Sequence, residues 1–99
     1  MEIKVIEEGK PYVIALEGRL DTNTSPELDD FAKGLYEKNV NDIAVDMEKC
    51  AFVSSAGLRV IVAMQKHAAA DGNLVFRNVQ SEVMEVFEMT GFDNILTFE

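Results

Sequence analysis

Hydrophobic positions along the chain change their spacing several times, and each change marks an element. Ile3 and Val5 alternate with Glu2, Lys4 and Glu7, the period-two pattern of a half-exposed strand. Glu8-Gly9-Lys10-Pro11 reads as a turn. Tyr12-Val13-Ile14-Ala15-Leu16-Glu17 is more continuously apolar, which predicts a more central strand paired to the first in a hairpin. Gly18 loosens the backbone where that strand is expected to end, and Arg19 to Asn23 lead to a helix.

Thr24-Ser25-Pro26-Glu27 announces the helix in either of two registers. With Thr24 as the cap, Glu27 stands at N3 and closes a capping box; with Ser25 as the cap, Pro26 stands at N1, where its missing N–H costs nothing. Leu28, Phe31, Ala32, Leu35 and Tyr36 then recur every three or four residues as one apolar stripe, with Asp29, Asp30, Lys33 and Lys38 on the wet flank. Ile43 to Met47 predicts a short covered strand, and Glu48 to Val53 a loop approaching a second helix over Ser55 to Ala70. That helix places Leu58, Ile61, Val62, Gln65, Ala68 and Ala69 on one face, broadened by Val60 and Met64, and Asp71-Gly72-Asn73 ends it. Leu74 to Phe76 is a further strand. A third helix follows, with Ser81 as its cap, Val83, Val86 and Phe87 inward and Gly91 as a terminator able to take positive φ. Asn94 to Phe98 finishes as a short edge strand.

Alternating strands and helices after an opening hairpin imply an α/β fold whose later strands are parallel and whose N-terminal edge is antiparallel. No repeat, low-complexity tract or linker interrupts the pattern, so residues 1–99 are expected to form one domain.

Composition narrows the function classes. Apolar residues make up 47% and charged residues 27%, which argues against pervasive disorder. Eighteen Asp and Glu against nine Lys and Arg give a formal charge of −9. Nucleic-acid phosphates and anionic membranes are therefore disfavoured as partners, and a basic protein surface is favoured. Cys50 is the sole cysteine, which excludes an intrachain disulfide and fits a reducing compartment. The first residues lack the organisation of a signal peptide and no apolar run is long enough for a spanning helix, so a cytoplasmic location is expected.

Little in the sequence suggests catalysis. His67 is the only histidine and has no Ser and Asp companions in a recognisable triad, nor a metal set; Asp21 and Asp46 are not identifiable as an acid pair; the glycines form no phosphate-binding loop. The aromatics fall on strands and apolar helix faces as core candidates. No cofactor or metal is expected.

Candidate chemistry concentrates in Phe52-Val53-Ser54-Ser55-Ala56-Gly57-Leu58, where two hydroxyls and a glycine meet the start of the second helix. A serine there can cap free helical N–H groups, and those same groups, with the helix dipole, could stabilise a phosphate carried by a serine. The residue pattern leaves ordinary capping and regulation both open.

This segment, with Leu16-Glu17-Gly18-Arg19-Leu20-Asp21, the Ile43 to Met47 strand and Met89-Thr90-Gly91-Phe92, resembles the STAS family, and within it the small bacterial anti-sigma factor antagonists. The resemblance covers nearly the whole chain. It implies a mixed central sheet with helices mainly on one face and a switch loop at the start of the second major helix. In the family the loop commonly reads Asp-Ser-Ser-Gly-Leu or Asp-Ser-Ala-Gly-Leu, with the first serine phosphorylated. Carried over, Ser55 takes the phosphoacceptor position, Ala56 the small-residue position, Gly57 and Leu58 the last two, and Ser54 stands where the aspartate is usual. Asp21 corresponds to an acidic residue near the switch surface. The resemblance thus implies a partner surface of Asp21, Thr22, Asn23 and Ser54 to Leu58. The implied partner is an anti-sigma factor with serine kinase activity, and a serine phosphatase would reverse the modification. A structural STAS module within a larger signalling assembly is the alternative. Oligomeric state is not legible.

Overall fold

A computed structural model describes residues 1–99. In chain order it contains β1 (Glu2–Glu7), β2 (Tyr12–Leu20), α1 (Ser25–Glu37), β3 (Asp42–Asp46), β4 (Cys50–Val53), α2 (Ser55–Asp71), β5 (Asn73–Arg77), α3 (Ser81–Thr90), a 3₁₀ turn at Phe92–Asn94 and β6 (Thr97–Phe98). The strands form one mixed sheet in the order β1-β2-β3-β5-β6, with β4 attached separately to β2. β1 runs antiparallel to β2, and all other pairings are parallel, as an α/β chain with an N-terminal hairpin requires. The helices pack on one face of this sheet.

The buried strand β3 shows why the central positions are continuously apolar. Ile43, Ala44 and Val45 are flanked on both sides by parallel neighbours, β2 and β5. Ile14, Leu16, Leu28, Ile61, Phe76 and Phe87 join Ile43 and Val45 in one core cluster of 21 buried residues. Phe76, Phe87 and Phe98 meet with ring centroids 5.8 to 6.3 Å apart, tying β5, α3 and β6 together.

Several local expectations are revised. Cys50–Val53 is a strand rather than a loop: only Cys50 and Val53 are buried, and four residues without clean alternation conceal the pattern. Gly18 does not end β2. It lies inside the strand with φ 114°, where β2 leaves its ladders with β1 and β3 and takes up β4 across a bulge. Val5 is 44% exposed on the edge strand β1, whose register shifts between Val5 and Glu7.

Helix α1 begins where expected, but no capping box forms. Thr24 holds the cap position with its hydroxyl engaged elsewhere, and the Ser25 hydroxyl donates to the Asp21 carbonyl. Gln80, not Ser81, caps α3 in position, again without a side-chain bond. Gly91 does terminate α3, at φ 78°. On α2 the core face is Leu58, Ile61, Met64 and Ala68, while Val62 is half-buried and Ala69 exposed. The last strand is confined to Thr97–Phe98, since Phe92–Asn94 has wound into the 3₁₀ turn.

Candidate functional site

The unexpected strand β4 positions the site. Its pairing sets Arg19 beside Phe52 and Leu20 beside Val53, and the Ser54 N–H continues the ladder by donating to the Leu20 carbonyl at 2.8 Å. Because β2 and β4 are parallel, the turn after Leu20 and the turn after Val53 leave the same edge of the sheet side by side. Asp21, Thr22 and Asn23 are thereby brought together with Ser54 to Leu58. The Arg19 guanidinium lies 4.2 Å above the Phe52 ring centroid and ties the two strand ends from outside.

Asp21 organises the first turn. Its Oδ1 accepts from the backbone N–H of Asn23 at 3.0 Å and of Thr24 at 3.1 Å, with the Thr24 hydroxyl 3.2 Å away. Thr24 Oγ1 in turn accepts from the Asp21 N–H at 2.8 Å and donates to the Arg19 carbonyl at 2.6 Å. The Thr24 N–H, helped by its hydroxyl, the Asn23 N–H and the Arg19 charge, holds the Asp21 carboxyl below the ordinary aspartate range against a smaller opposing effect of desolvation. Asp21 is thus an anion with a fixed orientation. Thr22 and Asn23 beside it are exposed.

The second turn separates the roles of its two serines. Ser54 is the cap of α2, with extended backbone (φ −86°, ψ 174°); its Oγ accepts from the Gly57 N–H at 3.2 Å and its carbonyl from the Leu58 N–H at 2.9 Å. Ser55, the first helical residue, is exposed, and its hydroxyl makes no hydrogen bond within the chain. One hydroxyl is committed to the backbone and the other is free. Ala56 is half-buried, while Gly57 and Leu58 are buried. A Cβ on Gly57 would stand 2.8 Å from Leu20 Cγ and 3.0 Å from the Leu20 carbonyl oxygen, so the glycine lets α2 touch the end of β2.

The remaining chemistry-bearing side chains have structural partners. Cys50 is buried, and that burial pushes its thiol pKa up, while its sulfur donates to the Phe52 carbonyl at 3.5 Å. His67 stacks on Tyr36 with centroids 3.6 Å apart and meets Asn41 Oδ1 at 3.2 Å, joining α2 to α1. Asp46 accepts from the Glu48 N–H and the Asn78 side-chain amide. No group of three or more His, Cys, Asp or Glu could hold a metal ion, and no helix is long and apolar enough to cross a membrane.

One feature of the site escaped the sequence reading. Ser55 opens onto a groove of about 450 Å³ lined also by Leu58, Arg59, Val62, Ala63 and Lys66 of α2 and by Thr90 and Phe92 beyond it. The signal was present as the polar interruptions Ser55, Arg59 and Lys66 on the stripe that includes Val62, but Thr90 and Phe92 join it only through the tertiary fold.

A family model described as "Mlab, STAS domain" matches residues 3–97. The chain belongs to the STAS family. Among its relatives, the anti-sigma-B factor antagonist of Staphylococcus aureus is 27% identical over 97 residues, spanning 97% of this chain and 90% of that protein. Its counterpart in Staphylococcus epidermidis is 25% identical with the same coverage. An anti-sigma factor antagonist from Mycobacterium paratuberculosis superposes with a TM-score of 0.86 at 16% identity, covering 98% of this chain and 83% of that one. The Bacillus cell fate determinant SpoIIAA in its phosphorylated form gives 0.75 at 18% identity, covering 99% and 91%. The structural likenesses establish the STAS fold over nearly the whole chain. STAS domains are non-catalytic regulatory modules, and the paired turns described above lie on the STAS scaffold at the end of β2 and the start of α2.

Proposed function

We propose that this STAS chain is a cytoplasmic anti-sigma factor antagonist that binds an anti-sigma factor with serine kinase activity and thereby frees the sigma factor. The binding surface is Asp21 to Asn23 with Ser54 to Leu58, and phosphorylation of Ser55 by that kinase switches binding off until a serine phosphatase removes the phosphate. The observation that carries this reading is the division of labour between the serines: Ser54 is occupied in capping α2, while the Ser55 hydroxyl is exposed and unengaged. A relative bearing the name anti-sigma-B factor antagonist over almost the full chain supports it.

Phosphate on Ser55 would add roughly −1.5 to −2 charges at the partner surface. Asp21 already holds a fixed anion on the neighbouring turn, so the added charge meets repulsion as well as occupying space. The fold need not change. Treatment with the cognate kinase and ATP, followed by site-resolving mass spectrometry, is expected to find phosphate on Ser55; phosphate on Ser54 alone rejects the assignment.

Ser54 at a position where the family commonly has aspartate favours a second reading, a structural STAS module inside a larger signalling assembly. Recovery of such an assembly from cells without kinase-dependent modification of Ser55 would select it.

A further inference from the structure

The groove beside Ser55 has a charge opposite to that of the protein around it. The chain carries eighteen acidic and nine basic residues, yet the eight residues lining the groove include two cations, Arg59 and Lys66, and no carboxylate. Both cations are exposed, and neither takes part in any of the ion pairs of the chain, which use Lys4, Arg19, Lys33, Lys49 and Arg77. Ser55, Arg59, Val62 and Lys66 follow one another at spacings of four, three and four residues, which places them on a single stripe of α2. Leu58, Val62, Ala63 and Phe92 supply an apolar floor between the cations. Met89, which precedes Thr90 in the chain, is 87% exposed, and Ile95, three residues beyond Phe92, is 49% exposed.

We infer that this groove receives a segment of the partner protein that presents an apolar side chain flanked by carboxylates. The inference rests on the partner-binding function proposed above and adds where and by what chemistry the partner is held. Charge complementarity argues for the occupant: an unpaired guanidinium offers a planar fork to a carboxylate, and an unpaired ammonium about two turns further along the helix offers a second anchor. An apolar side chain between them removes the floor from water. A nucleic acid or anionic bilayer would meet two local cations but a net charge of −9. The same arrangement gives the switch a direct route. A phosphate on Ser55 enters the groove one helical turn from Arg59 and competes with the partner's carboxylate for that cation.

The test uses calorimetric titration of the cognate anti-sigma factor kinase with the full chain and with Arg59→Glu, Lys66→Glu and, as a control from the β1–β2 turn, Lys10→Glu. Circular dichroism melts verify folding of each. Arg59→Glu is expected to weaken binding at least tenfold and Lys66→Glu severalfold, with a flatter dependence on salt, while Lys10→Glu stays within twofold. Reversal of a partner carboxylate to Arg is expected to restore binding to Arg59→Glu. Binding by the wild type with both groove variants unchanged overturns the groove assignment and leaves the proposed function standing. A wild type that binds no such kinase removes the proposed function and this inference with it. If sedimentation instead shows the chain pairing with itself, and the Glu variants abolish that pairing, the groove is a contact between copies and the inference is wrong.

Discussion

Leu20 and Gly57 approach so closely that a side chain on Gly57 would lie 2.8 Å from Leu20 Cγ and 3.0 Å from its carbonyl oxygen. Leu20 is fully buried at the end of β2, and its carbonyl also receives the Ser54 N–H. The seryl turn is therefore clamped to the sheet from both sides of the helix start. Under the proposed switch, a change of charge on a turn held in this way would act on the partner rather than on the fold.

Gly57→Ala should accordingly destabilise the protein, because the added methyl meets backbone oxygen as well as a buried side chain. A loss of about 1–3 kcal/mol is expected, as for overpacking in a dense core. Urea denaturation followed by circular dichroism measures it. An unchanged midpoint would show that α2 can step away from β2 without cost.

Ser54 is expected to matter as a cap and not as an acceptor. Ser54→Ala removes the bond to the Gly57 N–H and should cost about 1 kcal/mol. Ser54→Asp should match or exceed wild-type stability, since an aspartate caps equally well and its charge favours a helix N-terminus, where the first turn of α2 has no acidic residue. The same denaturation assay checks both. Equal stability of Ser54→Ala and wild type would remove the cap from the description.

Asp21 gives the turn beside it a pH dependence of defined sign. Its folded-state pKa lies below the ordinary aspartate value, so its stabilising contribution is complete above that value and is lost as the pH falls through the depressed one. Asp21→Asn keeps an acceptor oxygen but no charge. The stability gap between wild type and Asp21→Asn should be complete at about pH 7 and narrow as the pH falls below the ordinary aspartate value of 3.8. A gap that stays constant over this range would mean that the charge of Asp21 does not contribute.

Much of this architecture was legible because period and burial coincide. Strands β2, β3 and β5 carry apolar runs, and α1 carries an unbroken three-and-four spacing from Leu28 to Tyr36. Local spacing could not disclose β4. Cys50–Val53 has the burial order buried, exposed, exposed, buried, and it pairs with β2 only because Gly18 takes a positive φ that lets β2 change partners. That pairing is what unites Asp21 with the seryl turn, so the juxtaposition at the site depended on long-range topology. The hydroxyl cap expected at the seryl turn forms at Ser54, whereas α1 and α3 start without one: the Thr24 hydroxyl is drawn to Arg19 and Asp21, which an i-to-i+3 rule does not contain. The sequence resemblance supplied the motif, and the geometry supplied the reason for its glycine.

The most direct test is the affinity of the cognate anti-sigma factor kinase for unmodified chain and for chain carrying verified phosphate on Ser55, measured by calorimetry at one ionic strength. At least tenfold weaker binding of the phosphorylated chain is expected, a penalty of about 1.4 kcal/mol or more. Equal affinities would contradict the switch at Ser55.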